Sequence, residues 1–311
     1  MPLIRKIENL TPTYPYPVIT LGNFDGVHLG HQALFQRVKE RAGQMRGTSM
    51  VMTFWPHPMR VLRKDVDLPL ITVYDQKMEL LERQGLDVII CLDFTPELAA
   101  IPPRDFVRSI LVDRIGVKEV IIGYDFRFGA RGEGNRALLI EMGREHGFVV
   151  DTVGPQSDAG DQIISSTRIR EVIRAGAVDE APALLGRYYR ISGRVVKGKS
   201  RGGKLLGFPT ANLKLADELV PRTGVYAVLV TFQGQVYPGV ANIGYNPTFG
   251  DVGLSVEVHC FDFSYDIYDR EIKVDFVRRV RSEKKFSGPD ELKAQIAQDC
   301  QLARQILTDS K

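Results

Sequence analysis

The stretch that decides the fold of the first half of the chain is Gly22-Asn23-Phe24-Asp25-Gly26-Val27-His28-Leu29-Gly30-His31. It follows the apolar run Val18–Leu21, which is typical of a buried strand, and it leads into helical periodicity from Gln32. Gly22 and Gly26 allow a tight turn with a close approach of the backbone to a ligand. Because a helix N-terminus presents free N–H groups and the positive end of the helix dipole, this stretch predicts a phosphate-binding turn.

The alternation of strand and helix repeats through the first half of the chain. This order predicts an α/β fold, a parallel sheet with helices on both faces, whose ligands bind at the carboxyl ends of the strands. Glycines just after the helical segments are expected as left-handed C-caps. The predicted strands are Val18–Leu21, Ser49–Phe54, Val88–Leu92, Val120–Ile122 and Phe148–Thr152, and the predicted helices are Gln32–Arg41, Tyr74–Arg83, Asp105–Ile115 and Asn135–Glu145, ending at Gly43, Gly85, Gly116 and Gly147.

The hydrophobic period changes after two short helical segments, Arg168–Ala175 and Val178–Leu185. The β-rich runs that follow predict a small antiparallel β-barrel, and a C-terminal helix is expected to begin at Pro289. We therefore expect two domains, residues 1–185 and 186–311. The predicted barrel strands are Arg190–Val196, Val225–Phe232, Gln235–Val240, Leu254–Phe261 and Ile272–Val280, with a tight hairpin at residues 232–235.

Composition excludes several classes of protein. The 311 residues are 44% hydrophobic and 25% charged, as in ordinary globular proteins, and no apolar run reaches the roughly 18 residues of a membrane span. The N-terminus lacks the apolar region of a signal peptide. Cys91, Cys260 and Cys300 lie far apart without metal-ligand spacing, which fits a reducing compartment, so we expect a cytoplasmic protein.

The net charge of +3 is too small to indicate nucleic-acid binding, but its distribution is uneven. Residues 1–186 carry 22 basic and 24 acidic side chains, a balance of −2, whereas residues 187–311 carry 19 and 14, a balance of +5. Most of this excess lies in residues 187–204, which hold seven basic side chains and no acidic one. We interpret this segment as a local anion site.

His28 and His31 are three residues apart, so both side chains can reach one anion bound at the turn. Metal ligation is an alternative, but it requires a third ligand, and a HExxH helix is absent. For either histidine alone, a capping role in an ordinary turn would be the default interpretation. Two histidines together with three glycines at the end of the first strand favour a phosphate site.

Three further segments are candidates for the same edge of the sheet. In residues 54–58 and 122–129, aromatic rings either stack on a planar ligand or pack in the core, and Asp125 adds a polar contact. In residues 164–170, Ser and Thr hydroxyls either cap a helix or face phosphate oxygens. Two arginines follow in the first turn of that helix, where they oppose its dipole, and this conflict favours an anionic ligand.

The glycine-rich basic stretch Gly198–Asn212 predicts a second anion site, because its glycines let backbone amides surround a phosphate. Residues 193–200 match the pattern GxxxxGK[ST], which we judge accidental because no strand–loop–helix context surrounds it. If extended, Thr210 and Asn212 point to one face and can share a Mg²⁺ ion; a turn with an Asx cap is the alternative. Glu257, flanked by valines, faces either solvent or a barrel mouth, where it could accept a proton from a hydroxyl.

These motifs carry a family resemblance. The HxGH turn and residues 165–170, Ser-Ser-Thr-Arg-Ile-Arg, resemble the nucleotidyltransferase superfamily. Residues 206–212, 242–249 and 257–259 resemble riboflavin kinase. Over almost the whole chain, the sequence therefore resembles the bacterial bifunctional riboflavin kinase/FAD synthetase family.

The resemblance implies two reactions, phosphorylation of riboflavin to FMN by ATP and adenylylation of FMN by ATP to FAD with release of pyrophosphate. It implies that Thr210 and Asn212 help bind Mg²⁺-ATP, that Glu257 is the base on the riboflavin 5′-hydroxyl, and that His28 and His31 act in adenylylation. The expected nucleotide-binding residues are Gly22, Phe24, Asp25, Gly26, His28, His31, Asp125, Ser166, Thr167 and Arg170 for adenylylation and Gly198, Gly203, Lys204, Gly207, Phe208, Pro209, Thr210 and Asn212 for the kinase, and the expected flavin-binding residues are Phe54, Phe126, Phe128 and Arg278.

Two alternatives stay open at this point. One is a single-activity nucleotidyltransferase whose barrel binds flavin without catalysis, and the other is a flavin-binding regulatory protein with two degenerate sites. The expected partners are small molecules, riboflavin, FMN and ATP, and neither nucleic acid nor a membrane.

Overall fold

The computed structural model describes residues 2–9, 14–63, 65, 68–196, 208–249 and 251–309. Two compact units, Met1–Ser165 and Ser166–Lys311, make up the chain. This division falls before the two short helices at 166–185, whereas the sequence predicts the domain boundary after them, and that boundary stays a prediction. No helix among the described residues is both long and apolar enough to cross a membrane.

The first unit contains a six-stranded parallel sheet in the order β1-β4-β3-β2-β5-β6. Each central strand is buried on both faces, which is why its sequence is a continuous apolar run. Ile19 and Met50 pack on one side of the sheet, and their neighbours Val18 and Val51 pack on the other. The elements are β1 Leu3–Ile4, β2 Pro17–Leu21, α1 Leu29–Gln44, β3 Thr48–Trp55, α2 Pro58–Leu62, α3 Tyr74–Glu82, β4 Val88–Asp93, α4 Pro96–Ala99, α5 Pro103–Phe106, a π-helical segment Val107–Val112, β5 Glu119–Gly123, α6 Arg136–His146 and β6 Val149–Val153.

The strand order changes direction at β2. From β2 the chain adds β3 and β4 on one side, and it then returns to place β5 on the other side of β2. Because the connections leave β2 and β5 in opposite directions, a crevice opens at their carboxyl ends, where open α/β sheets bind ligands. The predicted α/β class is confirmed, and the turn at 22–31 lies at this switch point.

Two local predictions for the first unit are wrong. Helix α1 does not end at Gly43 but continues to Gln44, and Arg46 takes the left-handed conformation with φ 48°. The segment predicted as one helix over Asp105–Ile115 consists of α5 and the π-helical turn. The wider turn lets Val107 and the residues one turn later pack together in the core.

The second unit is a closed antiparallel barrel with strand order β10-β11-β8-β7-β12-β9. Gln233 and Gly234, with φ 48° and 81°, form the predicted tight hairpin. The large rings of Tyr189, Tyr226 and Phe276 are fully buried, and both tyrosine rings contact the Phe276 ring. The elements are α7 Ser166–Ala175, α8 Ala181–Leu185, β7 Tyr189–Val196, β8 Ala211–Lys214, β9 Gly224–Phe232, β10 Gln235–Phe249, β11 Asp251–Cys260, β12 Glu271–Arg281 and α9 Pro289–Asp309.

Candidate functional sites

The turn after β2 has a strained backbone. Phe24, Gly26 and Val27 all have positive φ, at 50°, 87° and 43°. A β-branched residue rarely adopts this conformation, so the surrounding structure must hold the turn in place. Strain of this kind is typical of ligand-binding turns.

Asp25 supplies much of that support. Its buried carboxylate accepts hydrogen bonds from the backbone amides of Ile71 and Thr72, at 3.2 and 3.0 Å, and from the Thr72 hydroxyl at 3.3 Å. The Thr72 hydroxyl oxygen in turn accepts from the amide of Gly26 at 3.0 Å. Asp25 therefore anchors the turn to residues 71 and 72, and its direct contact with a nucleotide stays a prediction.

His28 and His31 are brought together at the start of α1. The His28 ring caps the helix, with Nδ1 accepting from the backbone amide of His31 at 3.3 Å, and the two rings stack with centroids 3.5 Å apart. The edge of the buried Phe24 ring packs against His31, with the centroids 5.1 Å apart. Phe24 is thus a support for the histidine pair, and its contact with a nucleotide stays a prediction.

The environment of His31 keeps its ring neutral. Burial lowers the pKa of His31 well below its ordinary value, and the nearby His28 and Lys77 lower it further. Its Nδ1 is shielded from solvent and has no hydrogen-bond partner among the described residues. A neutral imidazole with an unsatisfied ring nitrogen can form a further hydrogen bond to a ligand.

A buried lysine that the sequence analysis missed lies beneath the turn. Lys77 on α3 is 3% exposed, and its ammonium donates to the carbonyl oxygens of Asn23 and Phe54, at 3.3 and 3.0 Å, and to the Thr53 hydroxyl at 3.2 Å. Burial lowers the pKa of Lys77, and the charge of Asp25 opposes that shift. Lys77 therefore joins the turn after β2 to the end of β3.

A cavity of about 390 Å³ adjoins the same turn and includes Gly22 and Asn23 in its wall. The rings of Phe126 and Phe128 stack with centroids 5.6 Å apart, and Phe54 meets Phe94 edge-on at the same distance. Flat, apolar walls of this kind suit a planar aromatic ligand. The cavity is lined by five phenylalanines, Phe54, Phe94, Phe106, Phe126 and Phe128, of which the sequence analysis named the first and the last two.

The remaining residues predicted for this site differ in their exposure. Asp125 is exposed after β5. Ser166, Thr167 and Arg170 stand in the first turns of α7, in the second unit, and Arg170 is buried. Their joint action with the histidines stays a prediction.

The barrel carries the second candidate site on three adjacent strands. Glu257 on β11 pairs with Asn212 on β8 and with Asn242 on β10, so the three side chains lie in one row on one face. The flanking Val256 and Val258 are buried and point the other way, which puts Glu257 on the outer wall of the barrel. Glu257 is half-buried at this position, and its role as a proton acceptor stays a prediction.

Glu257 has the electrostatics of a proton acceptor. Burial raises the pKa of its carboxyl group, and a hydrogen bond with the Thr210 side chain offsets part of that rise. Thr210 brings a hydroxyl to this carboxylate, and Asn212 carries an amide oxygen at the paired position on β8. These hard oxygen donors suit Mg²⁺, which is usually held by few protein ligands together with nucleotide phosphates and water.

A histidine outside the predicted set fixes the approach to β8. His259 Nδ1 lies 2.8 Å from the Pro209 carbonyl oxygen, and its ring meets that of Phe208 edge-on at 5.5 Å. Both contacts hold the segment that leads to Thr210. Arg278 is exposed on β12, and the predicted positions Gly198, Gly203, Lys204 and Gly207 lie outside the described residues.

The fold and the geometry define a class: an α/β nucleotide-binding unit with an HxGH turn at its switch point, together with a closed barrel that carries a carboxylate site. Comparison with known families agrees with both halves. The model of the FAD synthetase family matches residues 12–168, and the model of the riboflavin kinase family matches residues 185–307.

Relatives of full length are similar throughout. The chain is 40% identical to the bifunctional riboflavin kinase/FMN adenylyltransferase of Escherichia coli K12, over 98% of each chain, and 39% identical to that of Pseudomonas fluorescens, over 100% of this chain and 99% of the relative. A crystal structure of a Streptococcus pneumoniae protein named macrolide-efflux protein superposes with a TM-score of 0.86 at 32% identity, covering 97% of this chain and 98% of that one. The chain belongs to the bifunctional riboflavin kinase/FMN adenylyltransferase family.

Proposed function

We propose that this chain phosphorylates riboflavin with ATP to give FMN and ADP, and then adenylylates FMN with a second ATP to give FAD and pyrophosphate. The observation that carries this proposal is that two separate units each hold a site of the required chemistry, and that each unit matches the corresponding family. The three cysteines are free and buried, which supports a cytoplasmic location.

In the adenylylation, an oxygen of the FMN phosphate forms a bond to the α-phosphorus of ATP, and the bond from that phosphorus to the bridging oxygen breaks. Pyrophosphate leaves with the electron pair. Because His28 Nδ1 accepts a hydrogen bond from the backbone amide of His31, the nitrogen of His28 that donates to a phosphate oxygen in this proposal is Nε2. The two histidines and the N-terminus of α1 offset the charge that builds up on the phosphates.

The cavity beside the turn takes the isoalloxazine ring in this proposal. Phe54 and the stacked pair Phe126 and Phe128 offer apolar faces to a planar ring system. The cavity and the nucleotide turn share Gly22 and Asn23, so a flavin held in the cavity directs its side chain toward the site of ATP.

In the kinase reaction, Glu257 takes the proton of the riboflavin 5′-hydroxyl, whose oxygen bonds to the γ-phosphorus while ADP leaves. The raised pKa of Glu257 makes its carboxylate a stronger base than an ordinary glutamate, and the Thr210 hydroxyl orients it. A Mg²⁺ ion bound with the nucleotide would offset phosphate charge, and Thr210 and Asn212 would hold it.

The test is a time course of FMN and FAD formed by the full chain from riboflavin, ATP and Mg²⁺. The proposal expects FMN to appear first and FAD to follow. FAD formed from supplied FMN, with no FMN formed from riboflavin, would establish the single-activity nucleotidyltransferase instead. If neither product forms although riboflavin binds, the protein is a flavin-binding regulator.

Two variants assign the activities to their units. His28→Ala should abolish FAD formation from supplied FMN and leave FMN formation from riboflavin intact, whereas Glu257→Gln should abolish FMN formation from riboflavin and leave FAD formation from supplied FMN intact. Each variant is the control for the other, because each retains one measurable reaction in the same chain. Loss of both reactions in either variant would contradict two separate sites.

A further inference from the structure

The flavin cavity has an uneven distribution of charge. Among the described residues that line it, Arg127 and Arg131 are the only charged ones, and both are exposed. The isoalloxazine ring is neutral near pH 7 and offers nothing that needs two guanidinium groups. The part of the substrate that carries charge is the phosphate that distinguishes FMN from riboflavin.

The loop that carries both arginines is held firmly. Arg131 adopts the left-handed conformation, with φ 55° and ψ 13°, which is uncommon for a residue with a side chain. Phe128 and Gly134 exchange two backbone hydrogen bonds, at 3.1 and 2.9 Å, across the base of the loop, and the amide of Ala130 donates to Ile101 at 2.8 Å. The strained arginine is therefore fixed by the loop, as is common at binding sites.

Close packing also fixes the start of this turn. Gly129 has φ 70°, and a Cβ there would lie 2.7 Å from the Cα of Pro103. Only glycine fits so tight an approach, so the backbone between Arg127 and Arg131 has little freedom to shift.

Neither arginine is neutralised by the residues that the structure describes. Within the part of the chain that the structure describes, no ion pair involves Arg127 or Arg131, although Asp125 and Glu133 stand on the same loop. Other arginines of this unit are paired, such as Arg37 with Asp151 at 2.8 Å. Two unpaired positive charges beside an apolar cavity form an attractive site for an anion.

We propose that Arg127 and Arg131 bind the phosphate of FMN and thereby make the first unit select phosphorylated flavin over riboflavin. This inference rests on the proposed adenylylation. The planar guanidinium forks match phosphate oxygens, and their charge reduces the repulsion between the FMN phosphate and the phosphates of ATP. Selection at this step ensures that adenylylation starts only on a flavin that carries its nucleophile.

The experiment measures FAD synthesis by the full chain and its Arg127→Gln and Arg131→Gln variants, with FMN as substrate and 5′-deoxyriboflavin as competitor. That competitor keeps the ring and most of the side chain, and it cannot be phosphorylated. Loss of a hydrogen bond to a charged group should raise the KM for FMN about tenfold in each variant. The inhibition constant of 5′-deoxyriboflavin should stay within about twofold, because the ring contacts are intact.

Controls separate this outcome from a damaged cavity. Arg144→Gln removes an exposed arginine on α6 that does not line the cavity, and it should leave the KM for FMN unchanged. Arg127→Lys should restore part of the loss, since it keeps the charge but not the fork. FMN formation from riboflavin should be unaffected in all variants.

Three results would overturn the inference. An unchanged KM for FMN in both Arg127→Gln and Arg131→Gln would show that the arginines do not bind the phosphate. Equal rises in the KM for FMN and the inhibition constant of 5′-deoxyriboflavin would show that they support the cavity only. Absence of FAD synthesis by the unsubstituted chain would overturn the proposed function together with this inference, whereas the first two results overturn the inference alone.

Discussion

The ammonium of Lys77 lies 3.0 Å from the carbonyl oxygen of Phe54 and 3.3 Å from that of Asn23, so one buried charge joins the wall of the phenylalanine-lined cavity to the turn after β2. Within the described part of the chain, this ammonium has three oxygen acceptors and no carboxylate in direct contact, and a buried charge of this kind is costly to desolvate. We therefore expect its contribution to lie in positioning both substrates of adenylylation.

Lys77→Met keeps the length of the side chain but leaves these acceptors unsatisfied. We expect the variant to lose about 1–3 kcal/mol of the free energy of unfolding of the first unit and to show a raised KM for both FMN and ATP. Urea unfolding and FAD synthesis measure the two effects. Lys39→Met, on α1, removes one hydrogen bond to the Gln84 carbonyl and is the matched control; an equal rise of both KM values there would contradict the positioning role.

The stability of the first unit should depend on His31 in weakly acidic solution. Because the pKa of folded His31 is lowered by burial, His28 and Lys77, the unfolded chain binds a proton first as the pH falls below about 6.5. Protonation therefore favours unfolding, and stability should fall by about 1 kcal/mol between pH 7.5 and 5.5.

His31→Gln should remove this dependence, which urea unfolding at the two pH values would measure. His146→Gln, at an exposed position on α6, should leave the dependence in place. An unchanged pH dependence in His31→Gln would show that another group causes it.

The pH dependence of the kinase rate should reflect the protonation of Glu257. Since burial raises its pKa, the carboxyl group becomes protonated, and the rate falls, at a higher pH than the ordinary value of about 4.3 predicts. Thr210→Val removes the hydrogen bond that lowers this pKa, so the acid limb of kcat against pH should move further up. An acid limb that stays in place would contradict the contact between the two residues.

Loss of an aromatic ring from the cavity should raise the KM for FMN. Phe54→Ala removes one apolar wall, and we expect about a tenfold rise in the KM for FMN in FAD synthesis. Phe148, a buried core residue on the same side of the sheet that does not line the cavity, is the comparison. Phe148→Leu should lower stability without a selective change in that KM.

A pair of glycine substitutions tests the turn against an ordinary helix. A Cβ at Gly22 would lie 2.9 Å from the Phe24 ring, so Gly22→Ala should displace the support of His31 and reduce FAD synthesis. Gly43 lies within α1 with no atom within 4 Å of such a Cβ, and Gly43→Ala should stabilise by about 0.5–1 kcal/mol. The rate of FAD synthesis and the thermal unfolding of both variants measure these effects. A comparable loss of FAD synthesis in the two variants would contradict a special role of Gly22 in the turn.

The sequence predicts the large elements because their patterns are strong. The sheet strands are apolar runs closed by turns, and three of the four expected glycines, Gly85, Gly116 and Gly147, have the left-handed conformation. Strand β8 lies beyond such prediction, because Ala211–Lys214 is only four residues long and Pro209 precedes it by two residues, so its pattern is equally typical of a turn. Its pairing with β11 is a tertiary effect that no local pattern contains.

The site residues divide in the same way. His28 and Glu257 stand in recognisable motifs, whereas Lys77 is a single lysine on an amphipathic helix, where a solvated position is the usual expectation. Its acceptors on Asn23 and Phe54 are 54 and 23 residues away in sequence. Only the folded sheet brings these groups together, and the same is true of the arginines beside the cavity.

The filled interior of the barrel has a consequence for the effects of substitutions in this unit. Tyr189, Tyr226 and Phe276 occupy the lumen, while Glu257 stands on the outer wall. We therefore expect substitutions in the lumen to alter the free energy of unfolding of the barrel, and substitutions around Glu257 to alter kinase activity. Stability and activity would then be separate properties of one small domain, which engineering or evolution can change independently.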